Sequence, residues 1–277
     1  MKSSRIRLAA VAALSVGSLA LSGCAVIGPQ IGDTEAVDTS ELTESLDLVT
    51  PGQLTVCSDI PYPPFEFMQG NDLVGYDMDI VQRIADDLGV RLSVVDSSFE
   101  AIESGSSFTG CDLNASSISI TEARKQVMAF SLPYLDDDLV LVAEEGSGIT
   151  DLESAQGKRV GVQAATTGEA FAEENGLDPI QFEDGGMQME ALRAGTVEAV
   201  LGNQSVVLHH VKDDPDYPVV ADLPTGEQLG FAVAPDDAVL LSAVNSTLQD
   251  MEEDGTLDES RARWFGEAAT KTTGSEQ

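Results

Sequence analysis

The segment ASSISITEARK, residues 115–125, sets the hydroxyls of Ser116, Ser117, Ser119 and Thr121 just ahead of Arg124. A guanidinium offers paired N–H donors that match a carboxylate, and a hydroxyl donates to a carboxylate or accepts from an ammonium. A helix expected to begin at Thr121 would add unpaired backbone N–H groups and the positive end of its dipole. These features point to a grip on a small carboxylate. Thr166 and Thr167 open a second expected helix, TTGEAFAEEN. Metal chemistry is disfavoured: there is no Cys-x-x-Cys, and His209 and His210 are adjacent, so they cannot share one helical face. No cofactor is expected.

Alternating strand-like and helix-like runs must position these side chains. QLTVCSD, RLSVVDS and CDLNASS read as strands. DMDIVQRIADDLG reads as an amphipathic helix, with Asp77 as its expected cap, Val81, Ile84, Ala85 and Leu88 on one face, and Gly89 at its end. Further on, KRVGVQ, IQFED and TVEAVLGN read as strands, with the helices TTGEAFAEEN, MQMEALRAG and QSVVLHHVKD among them. A last long helix repeats its apolar face at Leu240, Ala243, Val244, Leu248 and Met251, and Trp264 beyond it is expected to fill core. This alternation predicts an α/β fold with mostly parallel sheets.

Lys2, Arg5 and Arg7 precede a short apolar run, Leu8 to Leu21, which suits a secretory signal and is too short to span a bilayer. LSGC, residues 21–24, resembles a bacterial lipobox, in which Cys24 becomes the lipidated first residue. The expected organisation is a signal peptide over 1–23, a flexible acidic linker over 24–49 and a polar tail over 268–277. The chain has 48 acidic and 14 basic residues, a net charge of −34. Loss of residues 1–23 removes three basic residues and no acid, bringing the charge to −37. Nucleic acid is excluded as a partner by repulsion from its phosphates. In an exported chain, Cys57 and Cys111 are expected either to form one disulfide or to remain two buried thiols.

GYDMDI (75–80), running into VQRIADDL, resembles the signature segment of the family 3 extracellular solute-binding proteins, the amino-acid receptors of ABC importers. PYPPFEF, SSISITEAR, GKRVGVQAATTGEAF and the terminal DGT…RWFG resemble further segments of that family in the same order. The resemblance spans residues 50–267. It implies a periplasmic-binding-protein-like α/β fold, in which two lobes are joined by two hinge strands and the ligand lies between them. Lobe one would comprise 50–135 and 229–267, and lobe two 136–228, with YLDDD (134–138) at one crossing as an exposed acidic edge.

Carried over by that resemblance, the ligand's α-carboxylate would meet Arg124, the Ser119 N–H and Thr167. Its α-ammonium would meet Ser117 and Asn203, with Ser116 in the same hydroxyl run. Asp59, Tyr62 and Phe99 would take the side-chain end, the two rings around it and the acid favouring a basic group. Many amino-acid binders of the family carry Asp where this chain has Asn203. That leaves open a ligand with a modified or absent ammonium, or compensation by another acid. The expected protein is a monomeric, lipid-anchored receptor on the outer face of the cell membrane. It would bind a small polar or basic amino acid, or a related amine or carboxylate, and deliver it to an ABC permease. The alternatives are a dehydratase-like enzyme on the same fold and a ligand-binding sensor lipoprotein.

Overall fold

The computed structural model describes residues 46–266. The expected signal peptide, Cys24 and the polar tail lie outside the described residues. The first half of one lobe runs β1 (Gln53–Ser58), a hairpin of β2 (Phe67–Gln69) and β3 (Asp72–Val74), α1 (Tyr76–Asp87), β4 (Arg91–Asp96), α2 (Phe99–Glu103), β5 (Leu113–Ser119), β6 (Ala129–Phe130) and β7 (Leu135–Asp136). The chain then crosses to a second lobe made of β8 (Leu139–Ala143), β9 (Val160–Gln163), α3 (Thr167–Glu174), β10 (Ile180–Phe182), α4 (Gly185–Arg193), β11 (Ala199–Asn203), α5 (Gln204–Val211) and β12 (Val219–Leu223). It returns through β13 (Gln228–Val233) and closes the first lobe with α6 (Ala238–Asp254) and α7 (Thr256–Phe265).

Each lobe is built on one sheet. The first has strand order β4-β1-β5-β13-β6, with β7 also on β13, and the second has β10-β9-β11-β8-β12. The sheets are mixed rather than mostly parallel. In the first, β1 runs parallel to β4 and β5, while β13 is antiparallel to β5, β6 and β7. In the second, β9 runs parallel to β10 and β11, while β8 is antiparallel to β11 and β12. The strands that break the parallel pattern are those just after each crossing, β8 and β13, which enter their sheets from the other lobe. Both crossings lie side by side: Asp137 N–H donates to the Glu227 carbonyl at 3.0 Å, and Gly226 N–H to Asp138 Oδ1 at 2.6 Å.

Apolar residues fill both faces of each sheet. Leu54, Val56, Ile80, Ile84, Phe231 and Val244 share one cluster of the first lobe, and Ile102, Ile118 and Met128 another on its far side. In the second lobe, β8 (LVLVA) is wholly buried, and alternate residues feed opposite clusters: Leu139 and Leu141 one, Val140 and Val142 the other. Cys57 at the end of β1 and Cys111 before β5 form a disulfide with Cα atoms 5.7 Å apart. Trp264 packs edge-on against Phe67 and donates its indole N–H to Asp79 at 2.8 Å.

Four further expectations are corrected. The linker does not run free to residue 49: Leu46 and Leu48 pack on the first-lobe core, and Val49 N–H donates to Asp112 at 2.7 Å. Asp77 does not cap α1. Gly75 does, at φ 143°, where an added Cβ would stand 1.9 Å from the Phe65 carbonyl oxygen. The helix expected from Thr121 is a single 3₁₀ turn, Arg124–Gln126, because the chain is drawn at once into β6 to pair with β13. One turn carries no useful dipole. The hinge triplet is not simply an exposed edge: Asp136 is exposed and Asp138 partly so, while Asp137 is buried.

Candidate functional site

A narrow pocket, with room for about one water, lies between the lobes. Tyr62, Phe99, Ser117, Ser119 and Arg124 line it from the first lobe, and Gln163, Thr166, Thr167 and Asn203 from the second. The pocket brings together seven residues singled out in the sequence: Tyr62, Phe99, Ser117, Ser119, Arg124, Thr167 and Asn203. A larger hollow behind the crossings, near Leu208, His209, Trp264 and Phe265, mixes acids with Lys212 and Arg261 and lacks this convergence of hydroxyls on one guanidinium.

Arg124 is buried, with 4 % of its surface exposed. Its guanidinium donates to the Ser119 carbonyl and, across the cleft, to the Ala165 carbonyl, each at 3.0 Å. It also lies 5.2 Å over the Phe99 ring. Two of its five N–H donors are thereby used, and the others remain for an anion. Burial pulls its pKa down, opposed by the charges of Glu103 and Glu227. A guanidinium stays protonated through such a shift. Thr121 lies ahead of that turn, whose N-cap is Ala123, and its hydroxyl accepts the Arg124 N–H at 3.2 Å.

Strand alternation separates the serines. Ser117 and Ser119 face the pocket, whereas Ser116 points to the far side, where its hydroxyl donates to Glu66 at 2.5 Å and accepts the Asp59 N–H at 3.1 Å. Ser116 therefore supports the wall instead of lining it. Ser117 has φ 41°, and its N–H leaves the ladder to donate to Asp77 at 2.9 Å. Asp77 is fully buried, and burial raises its carboxyl to about 7, opposed by that N–H. Among the described residues, Ser117 and Ala165 are the non-glycine residues with positive φ, and one stands on each lobe of this pocket. Such strain persists only where surrounding structure holds it.

Asp59 stands one layer outside the pocket and is buried. Its Oδ2 accepts the Gln163 side-chain N–H at 2.7 Å, a second bond across the cleft. Burial pushes its carboxyl up to about 7; Asp184, Asp96 and Glu183 add to the rise, and the Gln163 bond opposes it. Tyr62 lies beneath the start of α4, where an added Gly185 Cβ would be 3.1 Å from its ring. Asn203 caps α5 without a side-chain bond to the helix, and its amide donates to the Asp137 carbonyl at 3.4 Å. Asp137 accepts both the N–H and the hydroxyl of Ser205, and burial raises its carboxyl to about 7.

Thr166 caps α3, taking the Glu169 N–H at 3.3 Å and donating its own hydroxyl to the Gln163 carbonyl at 2.7 Å. Thr167 and Ser119 donate their hydroxyls to one oxygen of Glu227, at 2.7 and 2.6 Å. Glu227, Gln163 and Thr166 line or bridge the cleft and were not singled out from sequence as ligand-facing groups. Position beside the returning crossing was the available signal for Glu227.

Residues 54–267 match the family model of bacterial extracellular solute-binding proteins, family 3. The chain is 30% identical over 227 residues to the L-cystine-binding protein TcyJ of Escherichia coli (strain K12), covering 79% of this chain and 85% of that protein. Among solved structures, an ancestral arginine-binding protein bound to arginine superposes with a TM-score of 0.72 at 33% identity, covering 78% of this chain and 99% of the other. The ancestral amino acid-binding protein AncCDT-1, a precursor of cyclohexadienyl dehydratase, gives 0.72 at 28% identity, with 82% and 98% covered.

Proposed function

Because the chain belongs to family 3 of the bacterial extracellular solute-binding proteins, we propose that it is a receptor that shuts its two lobes on a polar or basic amino acid and passes it to an ABC permease. The observation that carries this reading is the convergence of the buried Arg124 guanidinium with hydroxyls from opposite lobes, Ser119 and Thr167. A carboxylate between them would be held from both sides. The α-ammonium would meet Ser117 and Asn203, and a basic side chain would extend past Tyr62 and Phe99 toward Asp59. Names of relatives support the ligand class: one binds cystine, and another was solved with arginine. Lobe one would be 50–135 with 229–267, lobe two 136–228, and a lipid on Cys24 would tether the monomer to the outer face of the membrane.

Transport by such a receptor is a population shift. A ligand that touches both lobes favours the closed form by the free energy of the contacts made only there. Moving the balance from 1:99 to 99:1 takes about 5.5 kcal/mol. Two or three charge-assisted hydrogen bonds from the second lobe, at about 1.5–3 kcal/mol each, supply that order of energy. The test is a thermal-shift panel of amino acids and amines on protein refolded from denaturant to strip carried-over ligand. A stabilised melt with arginine, cystine or another amino acid is expected, and no shift with any amino acid would contradict the reading.

One observation favours a second reading, a dehydratase-like enzyme: Asp59 is a carboxyl beside the pocket held near 7, in the range a general acid or base uses. Mass spectrometry of amino acids incubated with the protein separates the two. Recovery of unchanged ligand supports the receptor, and a dehydrated product supports the enzyme.

A further inference from the structure

We propose that Glu227 is a specificity-determining residue that competes with the ligand's carboxylate for the hydroxyls of Ser119 and Thr167. The inference rests on the receptor reading of the cleft. Glu227 stands on the returning crossing, one residue before β13, and is partly buried. Its Oε2 accepts from Ser119 Oγ at 2.6 Å and from Thr167 Oγ1 at 2.7 Å. These are the hydroxyls, one per lobe, that converge with Arg124. Each hydroxyl has a single proton to donate. It cannot serve Glu227 and an incoming carboxylate at the same time.

Charge sharpens the competition. The negative charge of Glu227 acts on Arg124, favouring its protonated form. With Glu227 in place, the pull of the guanidinium on a second carboxylate is offset by repulsion from the first. A plain carboxylate therefore gains little from this pocket. The Glu227 carbonyl also accepts the Asp137 N–H of the other crossing, which places the residue at the hinge.

The competition predicts different responses for two probes that differ by one carboxylate. L-arginine carries the group, and agmatine is the same molecule without it. Calorimetric titration of both against the wild-type protein, Glu227→Gln and Glu227→Ala is the test. Arginine is expected to bind about tenfold more tightly to Glu227→Ala and to gain less in Glu227→Gln, whose amide oxygen still accepts but carries no charge. Agmatine is expected to gain nothing. Glu227→Gln keeps the side-chain volume, and thermal melts verify that both variants fold. Arginine affinity that is unchanged or weaker in both variants overturns the competition, as does an equal gain for agmatine. Wild-type protein that binds arginine, with Arg124→Ala unable to, keeps the receptor reading standing even if the Glu227 variants refute this inference.

Discussion

The two walls of the cleft differ in kind. The first lobe presents charge: Arg124, with Asp59 one layer behind, each buried and each reaching across to the second lobe. The second lobe presents neutral groups, the amides of Gln163 and Asn203 and the hydroxyls of Thr166 and Thr167. Support differs as well. Behind the first wall lie the buried carboxyls Asp77 and Glu66, holding Ser117 and Ser116, and the Cys57–Cys111 disulfide beside Phe99. A fixed charge in a dry wall recognises its partner before closure, and neutral donors on the moving wall add energy only after it. Recognition thus belongs mainly to the first lobe and closure to the second.

Arg124→Ala attacks the first role and carries the largest expected effect. Removing one partner of a buried charge pair costs about 3–5 kcal/mol, so calorimetry should show arginine affinity falling more than a hundredfold. A loss below tenfold would mean that recognition does not reside on that wall. Next comes pH. Asp59 titrates near 7 with its carboxyl buried, and a cationic side chain needs it ionised. Below that value binding must release the proton, so affinity for arginine should rise roughly tenfold from pH 5.5 to 7 and then level off. Asp59→Asn should flatten the profile, and an unchanged profile would remove Asp59 from the site.

Thr167→Ala attacks the second role. Loss of one charge-assisted hydrogen bond, at about 1.5 kcal/mol, should weaken arginine roughly tenfold. An Arg124-sized loss would erase the distinction between the walls. The smallest effect is expected from Asn203→Asp, which adds a charge for the ammonium at a buried position. Its Coulomb gain is offset by the cost of burying that charge, so binding should tighten only about twofold to threefold. Weaker binding would indicate that the ammonium lies elsewhere.

Much of this was legible where local pattern decides. The buried faces of α1 and α6 follow the helical period, and β1 and β9 follow their short apolar runs. Ser119 and Arg124, named from the hydroxyl run, line one pocket with Thr167, which the family resemblance supplied. What local pattern could not carry was direction and burial. Ser116 points away because β5 alternates and Ser117 twists out of the ladder. Asp77 reads as a cap in sequence, yet tertiary packing seals it beneath the site. The helix at Thr121 lost to strand pairing that begins eight residues later, at Ala129. Glu227 was hidden for another reason: its partners are 108 and 60 residues away, and no spacing rule links them.

The most direct test of the shared grip is a crystal structure of the protein with the amino acid that gives the largest thermal shift. Its carboxylate should lie within hydrogen-bond reach of Arg124, with hydroxyls of Ser119 and Thr167 closing on it from opposite lobes. A carboxylate held elsewhere, or an Arg124 guanidinium turned out to solvent, would contradict the account.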